Sequence, residues 1–103
     1  MIKVKFLHPR ANWEHLGFIP DMLSENNPKS ATQQLNDGYQ HGGGWTPFNG
    51  HALLPDNSIK YPGDPPHKPI AEMRLRDELI LIYEHSWVAV IQPDRSYEIC
   101  RMD

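Results

Sequence analysis

A chain of 103 residues can build one hydrophobic core of modest size, so we expect a single domain over residues 1–103. Apolar residues make up 39% and charged residues 22%, a balance that excludes a disordered chain and is typical of globular proteins. The formal net charge of −3 is too small for the basic groove of a nucleic-acid binder or for an acidic mimic of DNA.

The cysteine content and the lack of long apolar runs indicate the cellular compartment of the protein. The single cysteine, Cys100, cannot form an intramolecular disulfide, which favours a reducing environment. The first ten residues contain no apolar run of signal-peptide length, and no stretch reaches the roughly 18 apolar residues of a spanning helix. We therefore expect a cytoplasmic protein without a membrane partner.

The first predicted element is a β-strand over residues 2–7, where apolar residues alternate with two lysines. Outward lysines are typical of an edge strand, because their charge discourages pairing with another chain. Gly17 and Pro20 then interrupt the apolar residues that follow. This segment predicts no more than a helical turn beginning at Pro20, where proline is tolerated.

One short helix is predicted next. Ser30 and Gln33 have the S-x-x-Q spacing of a capping box, in which the two residues satisfy each other's free N–H groups. Every fourth residue from Ala31 to Tyr39 is apolar, which indicates a helix of about ten residues with a narrow apolar stripe. The glycines at 42–44 follow, and glycine just past a helix end is the usual C-cap.

The string HGGG at residues 41–44 also matches the oxyanion-hole string of some lipases and esterases. That chemistry needs a serine on a G-x-S-x-G turn, and none of the five serines is flanked by such glycines. A helix that ends at the string points its negative dipole end toward it and repels anions. The sequence therefore favours a structural bend.

Residues 41–70 contain five glycines and six prolines, which exclude a continuous central strand because proline lacks a backbone donor. The same span carries Trp45, Phe48 and Tyr61, which are large apolar side chains unsuited to a free linker. We predict a long ordered connection that these aromatic residues anchor to the sheet.

The last third of the chain reads as four β-strands separated by three turns. The continuous apolar run Leu79–Tyr83 predicts a central strand covered on both faces, by the helix and by the aromatic connection. The predicted fold is α+β: a mostly antiparallel meander sheet of four to five strands, one short helix and a long ordered Gly/Pro-rich loop.

Three features could carry chemistry, and each has a structural interpretation. No two of the six histidines have H-x-H or H-x-x-x-H spacing, and one cysteine gives no C-x-x-C pair. Cys100 lies on a predicted strand, where a buried thiol is the default. Glu84 and His85 are adjacent and would point to opposite faces of a strand. We predict no catalytic, cofactor-binding or metal-binding residue.

Three strings, GGGWTPFNG, IKYPGDPP and YEICRMD, resemble small uncharacterised proteins encoded by tailed phages and prophages. The resemblance covers about residues 40–103. It implies a small accessory protein in the cytoplasm of a host cell, of a kind that often acts by binding a host protein. It carries over no catalytic residue.

The predicted function is that of a non-enzymatic interaction module that modulates a host or phage protein. Candidate partner-binding residues are Trp45, Phe48, Tyr61, Tyr97 and Arg101. The last two lie on the C-terminal strand, which contains no proline. Unless the N-terminal strand pairs with it, that strand can accept one from another chain, in a homodimer or in a partner complex.

Two alternatives stay open. One is a small hydrolytic enzyme with loop histidines in its site. The other is a nucleic-acid binder whose aromatic residues stack on bases, although lysine and arginine are sparse and mixed with acidic residues.

Because no ligand pair has metal-binding spacing, we expect the purified protein to retain no zinc after dialysis. Elemental analysis of the dialysed protein measures this directly. Near-stoichiometric zinc would contradict the interpretation of the histidines.

Overall fold

The computed structural model describes residues 2–38, 45–48 and 50–102, with the backbone alone at 45–47 and 102. In these ranges the fold is α+β, as predicted. A six-stranded antiparallel sheet has short helices on one face and a two-stranded hairpin on the other. No helix among the described residues has the length and apolar character needed to cross a membrane.

The elements follow one another in a simple order. The strands are β1 (Val4–Phe6), β2 (Trp45–Pro47), β3 (Ala52–Leu53), β4 (Ile59–Lys60), β5 (Ala71–Leu75), β6 (Glu78–Ile82), β7 (Trp87–Ile91) and β8 (Tyr97–Met102). The helices are α1 (Trp13–Leu16), α2 (Ile19–Met22) and α3 (Ala31–Gly38), and a 3₁₀ turn over Glu84–Ser86 joins β6 to β7. The large sheet has the order β1-β5-β6-β7-β8-β2, while β3 pairs with β4.

The predicted meander forms β5 to β8, and the N-terminal strand is an edge, as its lysines indicate. β1 pairs with β5, with Val4 opposite Met73. The other edge is β2, where Trp45 pairs with Met102 and Pro47 with Cys100. Proline is compatible with an edge position, where one side of the strand needs no partner.

β2 adds to the predicted sheet. Five strands, β1 and β5 to β8, form the predicted antiparallel sheet, and β2 is a sixth strand at its edge. The described residues of 41–70 include β2, β3 and β4, and the long ordered loop stays a prediction. The edge of the C-terminal strand that was proposed for a homodimer is occupied within the chain over its last three residues, while homodimerisation itself stays a prediction. β2 pairs with residues 100–102, and the N–H of Phe48 donates to the carbonyl of Ile99 at 2.8 Å. Residues 41–44 and 49 lie outside the described ranges.

The prediction that Leu79–Tyr83 is covered on both faces is confirmed. Ile80 and Ile82 pack in a cluster with residues of the three helices. Leu81 and Tyr83 pack in a second cluster with Ile59 of the β3–β4 hairpin. The side chains of Ile80, Leu81, Ile82 and Tyr83 are each at most 1% exposed, whereas that of Leu79, at the start of this apolar run, is half-buried.

The start of α3 is capped partly by its own sequence and partly by the sheet. The N–H of Gln33 donates to Ser30 Oγ at 3.2 Å, which is one half of the predicted capping box. The N–H of Ala31 donates to Glu78 Oε1 of β6 at 2.9 Å. A buried carboxylate is thereby placed at the positive end of the helix.

Glu78 has a second partner. Its Oε2 accepts a hydrogen bond from Gln92 Nε2 at 2.9 Å, so both carboxylate oxygens are bonded. At its other end, α3 reaches Gly38. Tyr39 and the glycines 42–44 lie outside the described residues, so the predicted C-cap stays a prediction.

Two single-turn helices precede α3. α2 contains Pro20 in its first turn, as predicted. α1 was not predicted, because a four-residue helix is too short to show a periodic pattern. Its sequence signal is Asn12, whose side chain accepts from the N–H of Glu14 at 3.0 Å and whose N–H donates to His15 Nδ1 at 3.2 Å. Gly17 ends α1 with a φ of 57°.

Arg76 ties the irregular segment before α3 to the sheet. It lies in the two-residue turn between β5 and β6, and its guanidinium donates to the carbonyls of Glu25, Asn27 and Lys29 at 3.3, 3.0 and 2.6 Å. The buried Gln34 of α3 also donates to the Lys29 carbonyl, at 2.9 Å. These two side chains thus donate hydrogen bonds to backbone carbonyls of a segment that lies outside regular secondary structure.

We expect Arg76→Ala to lower the free energy of unfolding by about 1–3 kcal/mol, because it removes three charge-assisted hydrogen bonds. Arg74→Ala, at an exposed position on the adjoining strand β5, is the control and should change it by less than about 0.5 kcal/mol. Urea denaturation followed by circular dichroism measures both. Equal effects of the two substitutions would show that the guanidinium does not hold the segment.

Candidate functional site

An aromatic cluster lies where the β3–β4 hairpin meets the β6–β7 turn. We define it by four side chains, Phe48, His51, Tyr61 and Trp87. The ring of His51 is central, with centroid distances of 4.4 Å to Trp87, 5.0 Å to Phe48 and 5.2 Å to Tyr61. Phe48 and Trp87 make a T-shaped contact at 4.6 Å. These separations are those of directly contacting aromatic pairs.

Tyr61 is positioned by the sequence Tyr-Pro-Gly-Asp at residues 61–64. The N–H of Asp64 donates to the carbonyl of Tyr61 at 3.0 Å, and Gly63 has a φ of 91°. Proline followed by a glycine of positive φ is what a type II turn requires. Lys60 Nζ donates to the Asp64 carbonyl at 2.6 Å and closes the turn. The turn brings a tyrosine and a carboxylate to the same site.

The β3–β4 hairpin is fastened to the large sheet at Asn57, in the turn between its strands. The buried Tyr83 donates its hydroxyl to the Asn57 carbonyl at 2.6 Å, and burial raises the pKa of Tyr83. Arg95 Nη1 donates to Asn57 Oδ1 at 2.8 Å. With Ile59 buried beneath it, the hairpin has a fixed place on the sheet.

The β6–β7 turn forms the opposite side of the site. It contains three exposed residues, Glu84, His85 and Ser86, of which the last two have φ values of 63° and 66°. Such left-handed backbone is uncommon outside glycine and costs free energy. The turn is closed where the N–H of Tyr83 donates to the carbonyl of Trp87 at 2.8 Å.

Between these elements lies a pocket of about 330 Å³. The aromatic cluster lines it together with Ile59, Asp64, His67, Tyr83, Glu84 and His85. Its volume is at the lower end of the range of ligand sites, roughly 300–1,000 Å³. The pocket can therefore hold one long side chain or a small molecule.

His51 acts as an aromatic wall of this pocket. Burial lowers the pKa of His51, the neighbouring His67 lowers it further, and Asp64 partly opposes the change. Its Nδ1 is buried and has no hydrogen-bond partner in the described part of the chain. This environment favours the neutral form of the ring.

Five of the six histidines line cavities that Glu84 also lines, although their spacing in sequence gives no sign of it. His51, His67 and His85 line the pocket described above, and His8 and His15 line a second cavity of about 530 Å³ that also contains Glu84. They come from separate loops, so only the fold brings them together. Among the described residues, no three His, Cys, Asp or Glu side chains are grouped to hold a metal.

The predicted partner-binding residues do not all lie together. Phe48 and Tyr61 are in the aromatic cluster, with centroids 6.0 Å apart, and Arg101 Cζ is 5.8 Å from the centroid of Trp87. Tyr97 shares the face of β8 with Arg101 but lies four residues away, roughly 13 Å. Trp45 is described only by its backbone pairing in β2.

Among the residues that line the pocket, the sequence prediction included only Phe48 and Tyr61; the residues it missed that matter most here are His51, Asp64, Glu84 and Trp87. Tyr-Pro-Gly-Asp is a local turn signal that could have located Asp64. His51 and Trp87 had no such signal, because their contact depends on the docking of the hairpin onto the sheet.

The chain matches no protein-family model, and no curated protein or solved structure is significantly similar to it. The geometry and charges of the pocket are therefore the basis for a functional proposal.

The lowered pKa of His51 makes its contribution to stability depend on pH. In the unfolded chain this side chain takes up a proton near its ordinary pKa of 6.5, whereas in the folded protein it does so at a lower pH. The unfolded state then binds more protons between these two values. The stability from the neutral ring is fully present above about pH 6.5 and decreases as the pH falls toward the folded-state pKa.

His51→Phe keeps an aromatic ring and removes the titration. When the pH is lowered from about 7.5 to about 5.5, we expect the free energy of unfolding of this variant to decrease less than that of the wild type. Urea denaturation at the two pH values measures the difference. His8→Phe introduces the same ring at an exposed site and controls for the substitution itself. Equal losses in the wild type and His51→Phe would show that the ring is not held neutral.

Proposed function

We propose that this protein is a non-enzymatic interaction module that binds a segment of another protein in the aromatic pocket. The observation that carries the proposal is an aromatic cluster that lines a cavity together with several exposed side chains. Aromatic side chains bury a large area at a low cost in conformational entropy, and they are enriched at the centres of binding sites.

The contrast between two tyrosines supports a role in binding rather than packing. Tyr83 is 1% exposed and its hydroxyl is bonded within the fold. Tyr61 is 39% exposed although it contacts Phe48 and His51. An exposed aromatic residue beside a cavity marks a surface that a partner can cover.

The resemblance of residues 40–103 to phage-encoded proteins extends the proposal. On that basis the partner is a host or phage protein, and the site of action is the cytoplasm of the host cell. The sequence resemblance alone supports this part.

A small hydrolytic enzyme is the second candidate, and one observation favours it. Three imidazoles, from His51, His67 and His85, line the same pocket as the carboxylates of Asp64 and Glu84. Imidazole is the most frequent general base in enzymes. The same two carboxylates disfavour nucleic acid as the ligand, because they repel phosphate.

A random peptide library selected on the immobilised protein tests the binding proposal. We expect enriched peptides to bind Tyr61→Ala at least about tenfold more weakly than the wild type, because truncation of a central aromatic residue commonly costs more than 1.4 kcal/mol. Fluorescence anisotropy measures the affinities. Tyr97→Ala is a matched control, since this tyrosine is 41% exposed but lies outside the pocket.

Two results would contradict the proposal: a library that yields no enriched peptide, or peptides that lose equal affinity to Tyr61→Ala and Tyr97→Ala. Circular dichroism of both variants establishes that they are folded before binding is compared.

A further inference from the structure

We infer that the group occupying the aromatic pocket is cationic, a lysine or arginine side chain of the partner segment. This inference rests on the proposed function and adds the chemistry of the occupant. It is carried by two independent features of the pocket, which are the ring faces and the carboxylates.

The rings provide the first feature. The face of an aromatic ring carries partial negative charge and attracts a cation within about 6 Å of its centroid, most strongly for tryptophan. Trp87 already makes such a contact within the chain, with Arg101 Cζ at 5.8 Å. Phe48 and Tyr61 line the pocket beside it. A cation in the pocket therefore lies beside several rings, of which Trp87 also has the guanidinium of Arg101 over it.

The carboxylates of Asp64 and Glu84 provide the second feature. Both residues are exposed and line the pocket, which has no lysine or arginine among its described lining residues. Lys60 lies next to Tyr61 in sequence, and its ammonium group is bonded to the backbone carbonyl of Asp64 at 2.6 Å. Burial of His51 lowers its pKa and so reduces the positive charge that this ring could set against the two carboxylates.

These charges decide between the possible occupants. An apolar side chain would take water from both carboxylates and give them no partner, which costs free energy. An acidic side chain would be repelled. Lysine and arginine combine an apolar stem, which packs against rings, with a charged head that pairs with carboxylates. A pocket of about 330 Å³ suits one such side chain.

The surroundings of the pocket bear on the rest of the partner segment. Glu84 lines the pocket and also two neighbouring cavities of about 530 and 440 Å³, so a chain can continue from the pocket along either one. The larger cavity contains Arg10, and the smaller contains both Lys68 and Asp56. Residues that flank the inserted cation therefore meet charges of both signs.

Acetylated and amidated pentapeptides Gly-Gly-X-Gly-Gly, with lysine, arginine, leucine or glutamate at X, test the inference. Binding is measured from NMR shifts of the Trp87 indole N–H and the amides of Tyr61 and Asp64. We expect the lysine and arginine peptides to bind at least about fivefold more tightly than the leucine and glutamate peptides. We also expect this preference to shrink as salt is added.

Asp64→Asn and Glu84→Gln keep the shape of the site and remove its charge. We expect the double variant to lose at least about fivefold in affinity for the lysine peptide and to bind the leucine peptide as the wild type does. Glu98→Gln is the matched control, since this exposed glutamate is on the opposite face of β8 from Ile99.

The inference would be overturned if the leucine peptide bound as tightly as the lysine peptide. It would also be overturned if the lysine peptide bound the double variant with the same affinity as the wild type. In either case binding at the pocket itself would stand. The library selection gives a second measurement: enriched peptides without lysine or arginine, or peptides that tolerate norleucine in place of lysine, also exclude a cationic occupant. Failure of the library itself would instead count against the interaction module.

Discussion

The run Leu79–Tyr83 has no polar face, so other parts of the chain must cover both faces of the strand that contains it. One cover is the helical layer, which buries Ile80 and Ile82, and the other is the β3–β4 hairpin, which buries Leu81 and Tyr83. Both covers are fastened by polar side chains from the ends of the sheet strands and their turns. Arg76 and Glu78 hold the helical side, while Tyr83 and Arg95 hold the hairpin.

The two covers differ in extent, and the pocket lies beside the smaller one. β3 and β4 are two residues long, whereas the strand beneath them, β6, has five. The hairpin buries the middle of the sheet face, and the aromatic cluster lies beside it at the β6–β7 turn. Side chains that a larger cover would enclose stay open to solvent there. Among the described residues, the candidate binding site is thus a consequence of how little chain covers this face.

Local patterns predicted much of the fold from the sequence. Alternation located β1 and the meander, and Ser30 marked the start of α3 because its hydroxyl accepts an N–H three residues away. Features that join distant parts of the chain had no such pattern. Glu78 bonds to the N–H of Ala31 across 47 residues, and β2 pairs with β8 from across the whole meander. The pocket depends on such long-range contacts, so only Phe48 and Tyr61 of its lining residues were among the predicted ones.

The two edges of the large sheet also bear on how the protein behaves at high concentration. Its inner strands are five or six residues long and include the run LILI, a segment of the type that stacks into cross-β fibres. The edge strands are three residues long, one with Lys5 at its centre and the other ending at Pro47. Short strands with charge or proline prevent the addition of further strands. The residues that end the sheet therefore protect the folded protein from aggregation.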